Sequence, residues 1–243
     1  MKHLRNISRS LFFLVFLFAT ISCSGQGELL YKVSEPAQNL LKNRPVLFLL
    51  HGWGSNEKDL IGLASSLPKD MIVVSIRAPY AKQGGGFMWY DLQIGNGVFK
   101  ENIEQANESV AKINKVITQV MKEYKADTNN IFLGGFSQGA IMSLRVGLAA
   151  PFRLKGIVCL SGRYPDTIDM DKIPMAFRDK LNVFISHGSN DKVIPIVEGK
   201  KIATTLRKEK FHITWKEYAM EHQITQEVLI DLNNWLMAEL KRK

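Results

Sequence analysis

The pentapeptide Gly-Phe-Ser-Gln-Gly at residues 135–139 is the part of the sequence best suited to covalent chemistry. It follows a short apolar strand predicted at residues 131–133 and opens a predicted helix that begins near Gln138. A Gly-x-Ser-x-Gly sequence at such a junction holds its serine on a sharp turn, because the glycines let the strand and the helix pass close together. The helix N-terminus also favours negative charge at the reacting centre. The context therefore predicts that Ser137 is a catalytic nucleophile and not an ordinary turn serine.

A serine hydroxyl is a weak nucleophile and needs a general base. In folds that carry this serine turn, the catalytic residues follow in the chain order serine, acid, histidine. His51 precedes the serine, His187 precedes the best acid, and His212 lies on the polar side of an alternating strand. His222 follows the last predicted strand and precedes the last predicted helix, so it is the predicted base.

Asp191 is the predicted acid of this set. It follows the apolar strand at residues 183–185 and lies on a loop at the carboxyl end of that strand, where ligand-facing groups collect. It would accept the proton-bearing nitrogen of the histidine, fix its tautomer and stabilise the imidazolium. The rival carboxylates lack a preceding strand and are interpreted as loop residues: Asp166, Asp169 and Asp171.

Two backbone amides are predicted to form an oxyanion hole. One belongs to Gln138, directly after the nucleophile, and the other to the loop at residues 51–54, directly after the apolar strand at residues 46–50. The glycines of that loop let the backbone turn its N–H groups inward, which makes the amide of Trp53 the natural second donor. Taken alone, the loop would be interpreted as a tight strand-exit turn.

Continuous apolar strands alternate with amphipathic helices along most of the chain. This alternation predicts a mostly parallel central sheet with helices on both faces. Residues 79–99 and 164–179 do not fit it and are predicted to be functional loops. Strands are predicted at residues 46–50, 71–76, 131–133, 156–160, 181–186 and 212–218, and helices at residues 56–67, 101–124, 138–149, 198–208 and 224–240.

These segments together resemble the phospholipase/carboxylesterase family of α/β-hydrolases, which includes the acyl-protein thioesterases and small bacterial carboxylesterases. The resemblance runs from about Val46 to the end of the chain and rests on residues 51–54, 134–140, 187–191 with 193–195, and 220–222. It implies an α/β-hydrolase fold and gives the serine, aspartate and histidine named above the roles of a catalytic triad. It also implies that the amides of Trp53 and Gln138 are the oxyanion donors.

The sequence Met-Trp-Tyr-Asp at residues 88–91 resembles a family segment that passes near the active site. The resemblance implies a substrate-binding role for Met88 and Trp89. Two positions depart from the family. Glu221 stands where the family has a glycine before the catalytic histidine, and is expected to act on that histidine or to crowd its loop. The three glycines at residues 84–86 are expected to leave their loop unusually free.

The first 22 residues have the pattern of a signal peptide. Three basic residues, Lys2, Arg5 and Arg9, precede an apolar run at residues 11–21 that contains four phenylalanines. That run is well below the ~20 residues that span a bilayer. The pattern predicts an exported protein, either a membrane-anchored lipoprotein or a periplasmic or secreted one.

Cys23 is the predicted lipidation site. Residues 20–23, Thr-Ile-Ser-Cys, resemble a loose lipoprotein box, in which the lipidated cysteine becomes the first residue of the mature chain. The alternative is ordinary cleavage after Ser24. Membrane attachment through the lipidated cysteine, a tether at residues 23–28 and a single domain at residues 29–243 complete this interpretation.

The composition excludes several other classes of function. The 243 residues are 46% hydrophobic and 23% charged, which suits one globular domain. The net charge of +9 includes no basic stripe interleaved with aromatic residues, so nucleic-acid binding is not expected. Cys159 is alone on a predicted buried strand once Cys23 is lipidated or removed, so no disulfide is expected. Asp169 and Asp171 are too few ligands for calcium, and no zinc spacing is present.

The chemistry implied is two-step acyl transfer through an acyl-enzyme, with no metal or organic cofactor. The expected function is an exported carboxylesterase acting on small-molecule or lipid esters or thioesters. The alternatives are a lysophospholipase or acyl thioesterase, a carbohydrate esterase that removes acetyl or feruloyl groups, and a hydrolase fold kept for binding alone. An apolar groove built from residues 87–89 and 164–177 would favour long acyl chains. The oligomeric state is not predicted.

Overall fold

The computed structural model describes residues 28–36, 43–95, 98–150, 153–165 and 167–242, without the side chains of residues 94–99. The strands are β1 Tyr31–Ser34, β2 Val46–Leu50, β3 Ile72–Ile76, β4 Tyr80–Ala81, β5 Phe87–Met88, β6 Leu92–Gly95, β7 Val98–Glu101, β8 Ile131–Phe136, β9 Gly156–Leu160, β10 Asn182–Gly188 and β11 His212–Tyr218. The helices are α1 Ile103–Glu123, α2 Gln138–Ala149, α3 Met175–Arg178, α4 Ile196–Lys208 and α5 Gln226–Lys241, with 3₁₀ helices at Leu60–Ser66 and Met170–Lys172.

A seven-stranded sheet in the order β1-β3-β2-β8-β9-β10-β11 is the centre of the described structure. Strand β1 pairs antiparallel with β3, and every other neighbouring pair in this sheet is parallel. Leu50 faces Gly135 across β2 and β8, and Phe136 faces Leu160 across β8 and β9. The carboxyl ends of these strands therefore meet at one edge of the sheet, where the loops that follow them can converge.

Apolar side chains cover both faces of the sheet. Along β2, Phe48 and Leu50 belong to one buried cluster, whereas Leu47 and Leu49 belong to the other. Helices α1, α2 and α4 pack in the first cluster, and the 3₁₀ helix at Leu60–Ser66 packs with α5 in the second. A strand buried on both faces must be apolar throughout, which is why the central strands are continuous hydrophobic runs. The predicted mostly parallel sheet with helices on both faces is confirmed.

The central elements follow the predicted bounds closely, and the periphery differs. Strand β1 and the hairpins β4–β5 and β6–β7 were not predicted. Hairpin β4–β5 and most of hairpin β6–β7 lie in the segment 79–99 that did not fit the alternation, and β7 continues to Glu101. The helix predicted at residues 56–67 is a 3₁₀ helix restricted to Leu60–Ser66. Gly62 has a low helix propensity, and Pro68 cannot continue a helix. The apolar periodicity of this segment was therefore not enough to produce a full α-helix.

A buried ion cluster ties hairpin β6–β7 to the rest of the fold. The side chain of Glu101 is 2% exposed, and its two oxygens lie 2.5 Å from guanidinium nitrogens of Arg145 and Arg163. The hydroxyl of Tyr90 donates to the same carboxylate at 3.0 Å. Burial, followed by the neighbouring negative charge, raises the pKa of Tyr90 well above its ordinary value, so the phenol remains a donor.

The predicted signal peptide at residues 1–22, Cys23 and nearly all of the predicted tether lie outside the described residues. Within the part of the chain that is described, no helix is both long and apolar enough to cross a membrane. The bounds of the single predicted domain, residues 29–243, stay a prediction.

Candidate active site

Ser137 occupies the sharp turn between β8 and α2. Its backbone angles are φ 55° and ψ −120°, a conformation that side-chain-bearing residues rarely adopt. The turn is held on both sides, because the Ser137 amide donates to the Leu160 carbonyl at 3.0 Å and its carbonyl accepts from the Ala140 amide at 2.9 Å. The strained serine is therefore fixed by the strand and helix that flank it.

The two glycines of the pentapeptide are required by close packing. A Cβ on Gly135 would lie 2.3 Å from the carbonyl carbon and oxygen of Gly139. A Cβ on Gly139 would lie 1.9 Å from the carbonyl oxygen of Leu50 on the neighbouring strand. Strand β8, helix α2 and strand β2 approach so closely that neither position has room for a side chain.

Ser137, His222 and Asp191 form a continuous hydrogen-bonded chain. The Nε2 atom of His222 lies 2.9 Å from Ser137 Oγ, and its Nδ1 atom lies 2.7 Å from Asp191 Oδ2. Because a carboxylate only accepts, Nδ1 carries the ring hydrogen and Nε2 is the acceptor that faces the serine hydroxyl. The ring of Phe136 packs on the imidazole with 4.8 Å between centroids. The structure thus brings together the three side chains predicted as nucleophile, base and acid.

Both oxygens of the Asp191 carboxylate have partners. While Oδ2 faces His222, Oδ1 accepts the backbone N–H groups of Val193 and Ile194, each at 2.9 Å. The side chain is fully buried. Hydrogen bonds to a charged acceptor are stronger than neutral ones, so these two amides hold the carboxylate in one orientation towards the histidine.

His187 lies beside the acid and was set aside in the sequence because of its place in the chain order. Its Nε2 atom is 2.8 Å from the Ile194 carbonyl oxygen, to which it donates, and 3.5 Å from Asp191 Oδ2. Burial lowers its pKa, so the ring stays neutral and fixes the end of the loop that also supplies the amides to Asp191. The sequence signal for this role was its position directly before the acid loop, at the end of β10.

The loop after β2 lies against the serine. A Cβ on Gly52 would lie 3.4 Å from Ser137 Cβ. Within the described residues, the backbone amides of Trp53 and Gln138, the two predicted oxyanion donors, donate to no protein acceptor. The Trp53 side chain is 47% exposed, and the ammonium group of Lys82 lies 4.4 Å from its ring centroid.

The structure corrects the prediction that Trp89 contacts substrate. Its side chain is fully buried, and its indole N–H donates to the His51 carbonyl at 2.9 Å. A side chain without exposed surface offers nothing to a ligand, so Trp89 supports the loop after β2 from behind. Met88 is also nearly buried, which leaves it little surface for substrate.

The glycines at residues 84–86 do not form a free loop, as the sequence had suggested. They close the hairpin β4–β5, where the Lys82 amide donates to the Gly86 carbonyl at 2.9 Å and the Gly85 amide donates to the Lys82 carbonyl at 3.0 Å. All three have positive φ, which glycine adopts without strain.

The exposed side chain of Glu221 does not crowd the histidine loop. The close approach occurs on the other side, where a Cβ on Gly188 would lie 2.2 Å from the Met220 carbonyl oxygen and 2.6 Å from that of Glu221. This close approach therefore requires a glycine at position 188, the last residue of β10.

The remaining candidate residues that the structure describes have no hydrogen bond to the serine, histidine or aspartate of the site. The Asp169 side chain accepts the Asp171 amide and caps a 3₁₀ turn, and Asp166 lies outside the described residues. Cys159 is in the core of β9, where burial raises its pKa to about 12. Among the residues that the structure describes, no three histidine, cysteine or acidic side chains are grouped as a metal site.

Comparisons with known proteins agree on one family. A family model described as phospholipase/carboxylesterase matches residues 32–240. The acyl-protein thioesterase 1 of Kluyveromyces lactis is 29% identical over 225 residues, which cover 86% of this chain and 95% of that protein. The acyl-protein thioesterase 1 of Yarrowia lipolytica is 31% identical over 157 residues, covering 63% and 69%. The crystal structure of the Bacillus cereus carboxylesterase has a TM-score of 0.74 at 25% identity, covering 87% of this chain and 94% of that one.

These relatives contradict the prediction of an exported protein. That prediction rested on the composition of residues 1–22 alone, because a basic stretch followed by a short apolar run is a local pattern without any packing partner to support it. The lipidation of Cys23 and attachment to a membrane depended on export and are withdrawn with it.

Proposed function

Because the chain belongs to the phospholipase/carboxylesterase family, we propose that it hydrolyses carboxylic esters and thioesters with Ser137 as nucleophile, His222 as base and Asp191 as acid. The chain is an α/β-hydrolase of the carboxylesterase and acyl-protein thioesterase type. The observation that carries the proposed mechanism is the hydrogen-bonded chain from serine through histidine to aspartate, at 2.9 and 2.7 Å.

Acylation begins when Ser137 Oγ attacks the carbonyl carbon and passes its proton to His222 Nε2, which already lies at hydrogen-bonding distance. The Asp191 carboxylate stabilises the imidazolium that forms. The amide N–H groups of Trp53 and Gln138 donate hydrogen bonds to the negatively charged tetrahedral oxygen. The imidazolium then returns its proton to the leaving alcohol or thiol, and the acyl group remains on the serine.

Deacylation repeats these steps with water as nucleophile. His222 takes a proton from the water that attacks the acyl-enzyme, and the same two amides hold the second tetrahedral oxygen. The bond between the acyl carbon and Ser137 Oγ then breaks, and the imidazolium returns its proton to Oγ, which releases the carboxylic acid and restores the serine hydroxyl. Every proton transfer in this scheme uses His222 Nε2, so the tautomer that Asp191 fixes is needed in both halves of the reaction.

An acyl thioester is the second candidate substrate, and exposed apolar side chains near the site suit the acyl chain of either an ester or a thioester. Trp53, 47% exposed, follows the glycine that lies against the serine. Val193, 57% exposed, has its amide bonded to the acid. Both loops that neighbour the triad therefore carry an exposed apolar side chain, as binding of an acyl chain would require. The relatives named acyl-protein thioesterase support the same substrate class.

The experiment compares the full-length protein with Ser137→Ala on p-nitrophenyl esters from acetate to palmitate and on S-acyl thioesters of the same chain lengths. The matched control is Ser143→Ala, a buried serine on α2 whose hydroxyl donates to the Ala140 carbonyl. We expect Ser137→Ala to lose several orders of magnitude in kcat and the control to stay close to the wild type.

Two results would overturn the proposal. A folded wild-type protein without turnover on either series would remove the esterase and thioesterase function. Undiminished turnover by Ser137→Ala would remove the assigned nucleophile. The ratio of kcat/KM between thioester and ester at equal chain length then decides between the two substrates, and the preferred length measures the contribution of the apolar surface.

A further inference from the structure

Residues 78–90, called the brace below, contact the loop after β2 at His51. The Ala78 amide donates to His51 Nε2 at 3.0 Å, and the indole N–H of Trp89 donates to the His51 carbonyl at 2.9 Å. The Nδ1 atom of His51 donates in turn to the Gly52 carbonyl at 2.8 Å. Both the ring and the backbone of His51 are therefore fixed by the brace, two residues before Trp53.

The brace also holds the other side of Trp53. The Gly54 amide donates to the Phe87 carbonyl at 2.9 Å, and the Phe87 amide donates to the Ser55 carbonyl at 2.8 Å. A Cβ on Gly86 would lie 1.8 Å from the Gly54 carbonyl oxygen, so the two backbones are in direct contact. Trp53 is consequently held between two fixed points, while its own amide donates to no protein acceptor in the described residues.

The same brace contacts the second proposed oxyanion donor through the side chain of Gln138. Its Oε1 atom accepts the Trp89 amide at 3.0 Å, and its Nε2 atom donates to the Tyr90 carbonyl at 2.8 Å. This side chain is almost fully buried, and its backbone amide is the donor next to the nucleophile. A single residue, Trp89, therefore bonds to the elements that carry both donors.

We propose that the brace sets the separation of the two oxyanion donors, and that Trp89 and the Gln138 side chain are positioning residues for the hydrolytic reaction. The inference rests on the function proposed above. The donors belong to chain segments that lie far apart in sequence, and stabilisation of a tetrahedral oxygen requires both to point at one atom before the reaction begins. Beyond the ladder that pairs β2 with β8, Trp89 and Gln138 add a hydrogen-bonded connection between those segments: His51 to Trp89 to Gln138.

Trp89→Phe and Gln138→Met test this connection. The first keeps a buried aromatic ring and removes the indole N–H. The second keeps the approximate volume and the backbone amide and removes both side-chain hydrogen bonds. The control is Trp235→Phe, a buried tryptophan of α5 that packs on Phe132 and Phe184 on the opposite face of the sheet.

Three experiments are made on the full-length variants. They give kcat and KM for the best ester, the inhibition constant of an alkyl boronic acid that forms a tetrahedral adduct with serine, and the thermal melting curve. A misplacement of about 1 Å can cost ~10²-fold in rate, and loss of a whole oxyanion donor costs ~10²–10³-fold. We expect kcat and boronate affinity to fall together by roughly 10–100-fold in both variants. We expect KM to change little, and the control to keep its kcat and boronate affinity.

The outcomes separate this inference from the proposed function. Turnover by the wild type and its loss in Ser137→Ala establish the function first. The inference is then overturned if folded Trp89→Phe and Gln138→Met keep wild-type kcat and boronate affinity, or if Trp235→Phe loses as much. A rise in KM alone would also overturn it, because that pattern reports lost ground-state binding. If Trp89→Phe does not fold, Gln138→Met decides.

Discussion

Asp191→Asn is the substitution whose result the structure predicts most specifically. One carboxylate oxygen accepts the amides of Val193 and Ile194, and the other faces His222 Nδ1. An asparagine has one acceptor oxygen and one NH₂ donor. If the oxygen faces the two backbone donors, the NH₂ group faces the histidine. The reverse orientation would bury an NH₂ group against two N–H donors.

The two backbone amides therefore select the orientation that presents a donor to the histidine. His222 Nδ1 must then become an acceptor, which moves the ring hydrogen to Nε2 and removes the base that faces Ser137. A wrong tautomer of this kind costs about 10⁴-fold in kcat in a serine–histidine–aspartate triad, which corresponds to ~5.4 kcal/mol of activation free energy. The fold should survive, because the amides keep an acceptor.

The assay is steady-state turnover of a p-nitrophenyl ester, with unfolding followed by circular dichroism. Asp231→Asn is the control, since that carboxylate lies on α5 and is bound by Tyr218 and Lys216: it accepts the Tyr218 hydroxyl at 2.8 Å and lies 3.1 Å from the Lys216 ammonium nitrogen. We expect the control to keep nearly full kcat. A folded Asp191→Asn protein that lost less than about 100-fold would refute the reasoning, because the tautomer of His222 would then not depend on this carboxylate.

Two further predictions concern stability. Glu101→Gln removes the buried carboxylate that two guanidinium groups share, so the free energy of unfolding in urea should fall by about 3–5 kcal/mol; a loss below about 1 kcal/mol would contradict the role of the cluster. Burial lowers the pKa of both His51 and His187 in the folded protein. The unfolded chain therefore binds more protons than the folded protein as the pH falls through about 6.5. Stability should therefore decrease between pH 7 and pH 5, by up to ~1.4 kcal/mol per pH unit for each histidine, and His187→Gln should show a shallower decrease in an unfolding titration.

The core of the fold was predictable because its signals are local. Each central strand is buried on both faces and must be apolar along its whole length, as β2 and β9 are. Helix α1 was predicted within two residues at its beginning and one at its end, since its apolar face repeats over many turns. The serine turn was equally visible, because close packing excludes side chains at Gly135 and Gly139.

The features that were missed depend on contacts between distant segments. Strand β1 has only four residues, and β4 and β5 have two each, too few for a periodicity to register. The 3₁₀ helix at Leu60–Ser66 shows the converse error, in which a helical spacing of apolar residues was present but the backbone did not continue it. His187 was set aside by chain order, a rule that identifies the base but is silent on the residues that orient the acid.

For Trp89 the resemblance implied the right place in the fold but the wrong role for the side chain. Its segment does pass beside the serine, as the resemblance implied, yet its side chain points into the core and its indole N–H bonds to His51. The sequence contains no signal that separates a tryptophan that lines a pocket from one that supports the pocket wall, because both need an apolar neighbourhood and one hydrogen-bond acceptor. The difference is fixed only when β2, the brace and α2 are packed together. The same packing joins the two proposed oxyanion donors through Gln138, so the residue that a sequence assigns to substrate binding is better placed to set the geometry in which the reaction occurs.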